Sequence, residues 1–204
     1  MAEKKKGITL VTPKFRVSFP KVFKPEYNKL SKRDEYSVVA LFPKGETLDK
    51  MKEAAMEVGK AMFGPNPKKW PKNFKSPFKD QGEREKENDD GTKFLPDGYV
   101  KGNLMIQMKS KNKPGLIDKQ KNKIEDESEF YAGCWARANV YIQAFEIDGG
   151  VNRGVSVSLN HLQKVADGDP FSGRPKAEEV FEAIEDDEEV SEDTETEDDG
   201  ESPF

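Results

Sequence analysis

GCWARANVYIQAFEIDGGVNRGVSVSLNHL, residues 133–162, alternates with a period of two on both sides of a glycine turn. In Gly133–Ile147, Ala136, Ala138, Val140, Ile142 and Ala144 share one face, and Trp135, Arg137, Asn139, Tyr141, Gln143 and Phe145 share the other. Successive side chains of a strand point to opposite faces, so this pattern predicts a strand with one face in a core. Asp148-Gly149-Gly150 turns the chain, and Val151–Leu162 runs back with Val155, Val157 and Leu159 inward. Two long strands joined in this way form a hairpin.

Working outward, Ile8–Phe19 also alternates. Thr9, Val11, Phe15, Val17 and Phe19 are assigned to one face, Thr12, Lys14, Arg16 and Ser18 to the other, with a break allowed at Pro13. Pro20–Arg33 reads as a basic loop holding Phe23 and Tyr27, and Glu35–Phe42 as a strand. ETLDKMKEAAMEVGKAMF, residues 46–63, carries an apolar stripe at helical spacing; Thr47 is expected to cap it and Gly64-Pro65 to stop it. The connection 66–97 contains four prolines and a highly charged second half, and Tyr99–Lys111 returns to strand. About five strands, one helix and long loops predict a mainly β fold: a small Greek-key barrel of OB type with one α-helix. A β-sandwich with one helix fits the same pattern.

The charge distribution divides the chain more sharply than the strands do. From Glu178 to Phe204 there are 15 Asp and Glu and no Lys or Arg, leaving 24 acids against 34 bases before it, a net of +10. The expected organisation is a binding domain over 1–176 and a disordered acidic tail over 177–204 for protein interaction. A basic body attracts polyanions and an acidic tail repels them. The tail ends in Ser202-Pro203-Phe204 after Asp198, Asp199 and Glu201. A terminal aromatic beside its own carboxylate and a string of acids is a recognition element for a pocket with a basic rim, so Asp198, Asp199, Glu201, Pro203 and Phe204 are the candidate partner-binding residues.

Several function classes lose their residues. Cys134 is the only cysteine and His161 the only histidine, which argues against disulfides, zinc clusters and Ser-His or Cys-His catalysis. There is no phosphate-binding glycine loop and no HExxH, and the paired acids sit in loops or in the tail, where a metal-dependent nuclease would need them on strands. No enzyme activity, cofactor or metal is expected. No apolar run reaches membrane-spanning length, and the basic start leads into no signal core.

Nucleic-acid signals are richer. A single-strand binder needs cations along the backbone and aromatic faces for the bases, each stacked base contributing roughly 1–3 kcal/mol. The face carrying Trp135, Arg137 and Tyr141 supplies both, with Lys14, Arg16, Lys101, Lys109, Lys111 and Arg153 placed to surround it. KKWPKNFKSPFK, residues 68–79, supplies them again through Lys69, Trp70 and Phe74. The bland alternatives are that Trp135 covers a second small core and that Trp70, Phe74 and Phe78 pin their loop to the barrel.

These residues also carry a resemblance. KKW at 68–70, KPGLID at 113–118, FYAGCWARANVYIQAFE at 130–146 and RGVSVSLNHLQKVADGDPFSGR at 153–174 resemble a tailed-phage family of OB-fold single-stranded DNA-binding proteins, related in design to the T7-type phage protein. The last stretch is the most specific, with Gly154, Leu159, Asn160, Gln163, Asp167-Gly168 and Gly173-Arg174 in the family's order. The likeness covers residues 8–175, and the acidic tail ending in Phe separately. It implies binding of single-stranded DNA without strong sequence preference in phage replication or recombination. It also implies recruitment of phage or host replication proteins (polymerase, helicase-primase) through the tail, location in the cytoplasm of the infected bacterium, and no membrane partner; it allows a homodimer. An RNA-binding or strand-annealing protein remains the nearer alternative, a metal-dependent nuclease the remoter one.

Overall fold

A computed structural model describes residues 7–29 and 31–171. The acidic tail, including Asp198, Asp199, Glu201, Pro203 and Phe204, lies outside the described residues. The strands in chain order are β1 (Ile8–Val11), β2 (Phe15–Asn28), β3 (Arg33–Leu41), β4 (Phe74–Lys75), β5 (Lys79–Asp80), β6 (Lys86–Glu87), β7 (Lys93–Phe94), β8 (Leu104–Ser110), β9 (Gly115–Ile117), β10 (Trp135–Ile147) and β11 (Asn152–Ala166); the helix α1 (Asp49–Phe63) falls between β3 and β4.

Five of these strands close on one another. β2 pairs antiparallel with β3, and β3 with β8. β8 meets β11 in parallel at Ser158↔Lys109. β11 forms the long antiparallel hairpin with β10, and β10 returns to β2 through Trp135↔Arg16 and Ala136↔Phe15. Two of the five contacts are short, so the barrel is only partly closed. This is the Greek-key arrangement expected of an OB-type barrel. β1 extends the outer edge of β10, and β4 and β9 lie against β11.

The alternation in β10 holds: Ala136, Ala138, Val140 and Ile142 are buried beside Phe15, Val17, Val38, Ala40, Ile106, Met108, Val155, Val157, Leu159 and Leu162. A register shift between Asn139 and Val140 returns Leu162 to the inward side after Asn160. α1 adds Met51, Ala54, Ala55 and Val58 to the same core. Gly64 ends the helix at φ 97°, its N–H donating to the Lys60 carbonyl. The helix start differs from expectation: it begins after Leu48, and no side chain caps it, Thr47 included.

Two further expectations need correcting. Pro20–Asn28 is strand, because β2 continues through register shifts between Ser18 and Lys21 and between Lys21 and Glu26. A bulge absorbs a residue that cannot donate to the ladder, which is how Pro20 and Pro25 fit. The N-terminal alternation also changes phase at Pro13: Ile8 and Leu10 pack against the core in β1, Thr12 is buried, and Val11 is 55% exposed. Phe15 and Val17 then turn inward in β2, while Phe19, at φ 45°, is 46% exposed.

The long connection between α1 and β8 is tied to the barrel through β4 on β11, β5 on β8 and the side chains of Asn73 and Gln81. Gln81 is buried, its amide donating to the Phe42 and Leu104 carbonyls and accepting from the Val100 N–H. The charged stretch 82–93 forms a 3₁₀ turn and, with β6 and β7, a small separate hairpin.

Candidate nucleic-acid interface

Trp135, Asn139, Tyr141 and Gln143 stand half-buried on the outside of β10, and Arg137 is exposed there. The β2–β10 register sets Arg16 beside Trp135. The Lys14 ammonium lies 5.7 Å from the indole centroid and the Arg16 guanidinium 5.3 Å from it. A cation within about 6 Å of an aromatic face is held by the ring quadrupole. Arg16 is fixed further: Nε donates to the Gly133 carbonyl at 2.6 Å, Nη2 to the Asp169 carbonyl at 2.7 Å, and its guanidinium lies 4.7 Å from the Phe171 ring. Arg137 Nε donates to Gln163 Oε1 at 2.8 Å. Among the described residues no carboxylate pairs with Lys14, Arg16 or Arg137. Tyr141 is more committed, its hydroxyl accepting the Gly7 N–H at 2.8 Å with Gly7 packed on its ring.

The segment after β11 is pinned across this row. Tyr131 donates to Asp167 Oδ1 at 3.0 Å, Lys164 pairs with Asp167 at 2.6 Å, and the Phe171 N–H donates to the Ala132 carbonyl. The Lys164 and Tyr131 hydrogen bonds hold the Asp167 carboxyl below its ordinary value. Phe171 joins Val39, Leu41, Leu95, Tyr99 and Met105 in a second apolar cluster, outside the barrel on β3 and β8.

The other half of the β2–β3–β8 outer face is open. A cleft of about 240 Å³ is lined there by Lys21, Tyr27, Lys29, Ser37, Gln107 and Lys109, with Glu26, Asn28 and Glu35. Glu35, 6% exposed, accepts from Asn28 Nδ2 at 2.6 Å and Arg33 Nε at 2.7 Å and lies 3.7 Å from Lys109 Nζ. Burial alone would raise its carboxyl, but the hydrogen bonds from Asn28, Arg33 and Ser31 and the Lys109 charge outweigh that and lower it. Of the cleft's lining, Lys109 is among the candidates the sequence offers, and Lys21, Tyr27, Lys29 and Gln107 are not. Tyr27 is 62% exposed on β2, in the stretch that the sequence reads as a loop.

The remaining candidates lie elsewhere. Trp70 donates Nε1–H to the Gly64 carbonyl at 2.9 Å, its ring packs on Gly59, and its centroid lies 4.9 Å from that of Phe74 and 6.0 Å from that of Phe63. Trp70 and Phe74 thus clamp the connection onto α1, leaving Lys69 exposed at the turn before them. Arg153 is paired with Glu146 at 3.9 Å and bonded to the Gly150 carbonyl. Lys101 is exposed beside Gly82. The structure therefore brings Lys14, Arg16, Trp135, Arg137 and Tyr141 together, sets Lys109 and Lys111 on β8 and just after it, and leaves Lys69, Trp70, Phe74, Lys101 and Arg153 apart from both groups.

No group of acids, histidine or cysteine could hold a metal among the described residues, and none of their helices is long and apolar enough to cross a membrane. Cys134 is fully buried, which pushes its thiol up to about 11, while His161 is exposed and accepts the Gly115 N–H. They form no catalytic pair.

An OB-type barrel with cations that have no ion pair among the described residues around a half-buried indole defines the class of nucleic-acid-binding modules. The comparisons place the chain within that class. A family model described as the ssDNA-binding protein of Enterobacter phage Enc34 matches residues 8–193, and the chain belongs to this family, one of binding proteins rather than enzymes. The solved single-stranded DNA-binding protein from bacteriophage Enc34 aligns with a TM-score of 0.58 and 18% identity, over 89% of this chain and 97% of that one. The same phage's protein in complex with ssDNA aligns with a TM-score of 0.58 and 18% identity, over 84% and 96%. Gp2.5, the single-stranded DNA-binding protein encoded by bacteriophage T7, aligns with a TM-score of 0.57 and 13% identity, over 91% and 99%. A putative protein, p50, of Acyrthosiphon pisum secondary endosymbiont phage 1 is 34% identical over 85 residues, 41% of this chain and 44% of that relative's length.

Proposed function

We propose that the protein binds single-stranded DNA along the outside of the barrel, from the Trp135 face across β2 toward β8, with little sequence preference, during phage replication or recombination in the infected cell's cytoplasm. One observation carries the reading: Trp135 stands on the outer surface with Lys14 and Arg16 against its ring and Arg137 two residues on, none of these cations ion-paired among the described residues. Cations track phosphates, and the exposed part of the indole offers a stacking face. Family membership and the ssDNA complex of the Enc34 protein support it.

The tail completes the proposal. Its 15 acids over 178–204 compete with DNA for the cationic face at their own effective concentration, while Pro203-Phe204 docks replication proteins. Competition among oligo-dT, single-stranded RNA and duplex DNA of equal length tests the binding mode: preference for oligo-dT supports it, and equal affinity for duplex overturns it. Phe204→Ala tests the tail. DNA affinity should stay unchanged while capture of phage and host replication proteins falls; unchanged capture would leave the tail as an electrostatic competitor alone.

A further inference from the structure

Resting on that reading, we infer that the cleft between β2, β3 and β8 seats a single unstacked nucleobase of the bound strand, with Gln107 and Ser37 bonding its edge and Tyr27 lying against its face. The cleft is built for a neutral heteroaromatic ring rather than a phosphate. Two of its lysines are already neutralised, Lys21 by Glu26 and Lys109 by Glu35. The Glu35 carboxylate stays charged there, balanced by Arg33 and Lys109. Of the lining groups left without a partner among the described residues, Lys29 is charged, whereas the Ser37 hydroxyl and Gln107 amide are neutral and make no hydrogen bond to any described residue. A hydroxyl and an amide each donate and accept, so both can bond the mixed donor and acceptor edge of a base.

Size and position agree with this. A dry cavity of about 150 Å³ holds a benzene ring; the 240 Å³ here is room for one substituted heterocycle. Tyr27, 62% exposed at the margin, supplies a ring face, and Lys29 beside it has no ion-pair partner among the described residues and can meet the adjoining phosphate. The cleft opens on the same outer face as Arg16, so one strand can run from the Trp135 row into it. The three strands that build it are joined in register at Lys21↔Ser37, Ser37↔Lys109 and Val39↔Gln107.

The test separates base from backbone. Affinities of the full-length protein and of Gln107→Ala and Tyr27→Ala are measured for oligo-dT and for an abasic deoxyribose-phosphate oligomer of equal length, with thermal unfolding as the folding control. Tyr27→Ala should weaken oligo-dT binding about fivefold or more, the loss of roughly one stacked base, and Gln107→Ala should weaken it measurably. Neither should change binding of the abasic oligomer. Equal losses on both oligomers, or unchanged oligo-dT affinity in both variants, would overturn the subsite while leaving DNA binding itself standing. Failure of the wild-type protein to bind oligo-dT would overturn the function and the subsite with it.

Discussion

Glu35→Gln probes the device that organises the β2–β3 hairpin. The carboxylate is 6% exposed and accepts from Asn28 and Arg33 at 2.6 and 2.7 Å, with Lys109 at 3.7 Å. A glutamine in this place keeps one acceptor oxygen but turns an NH₂ toward a donor and leaves Arg33 and Lys109 without their counter-charge. Hydrogen bonds to charged groups contribute about 1.5–3 kcal/mol. Arg33 and Lys109 are 46% and 38% exposed, so solvent screens part of that. The expected net loss at neutral pH is about 1–2 kcal/mol, a fall of roughly 0.5–1 M in the urea midpoint for a slope of about 2 kcal/mol per molar. The pH dependence has a definite sign. A carboxyl whose pKa is lowered on folding stabilises the native state above its unfolded value, 4.5, and loses that contribution as pH falls through the folded value. The wild-type advantage should be flat from neutral pH to about 5 and shrink below 4.5. Equal midpoints at neutral pH, or a difference that persists unchanged in acid, would refute the argument.

Ile142→Ala, at a side chain with no exposure in the middle of β10, should cost about 2–5 kcal/mol in urea unfolding, since it opens a cavity in the core. Gly133→Ala places a Cβ 2.1 Å from the Asp169 carbonyl oxygen at φ 110°, so it should cost about 2 kcal/mol or more and lower the melting temperature by roughly 4–8 °C. Cys134, buried with its thiol near 11, should resist a thiol-specific dye in the native protein and react at once in urea; rapid labelling of folded protein would contradict its placement in the core.

The parts of the fold legible in the sequence are those whose burial pattern is local. The β10–β11 hairpin shows because a barrel wall has one wet face and one dry face, and the helix shows because its stripe repeats at helical spacing and ends at Gly64. β2 was half missed because Pro20 and Pro25 look like breakers, and only the partner strand reveals that they sit at bulges. The phase change at Pro13 is hidden for the same reason: Thr9 and Val11 keep the parity of Phe15 in sequence but not in space. Closure of the barrel rests on contacts of one and two residue pairs, too small to leave a trace in composition. For the site, Trp135 and Arg137 were readable from alternation, and Arg16 from its charge in a strand. The cleft was not readable, because Lys21, Ser37 and Gln107 come from three separate segments. For Trp70 and Phe74 the sequence leaves stacking on DNA and pinning of their loop both open, because interleaved bases and aromatics have the same signature whether the rings meet DNA or one another.

The most direct test of the central claim is the affinity of the full-length protein for oligo-dT, followed by tryptophan fluorescence as a function of salt. With three to four phosphates neutralised by Lys14, Arg16, Arg137 and Lys111, log K should fall against log salt with a slope of about −2 to −3. The Trp135 signal should be quenched on binding, and Trp135→Ala should lower affinity while the protein remains folded. A slope near zero, or wild-type affinity in the folded Trp135→Ala variant, would contradict the assignment of this face as the DNA-binding surface.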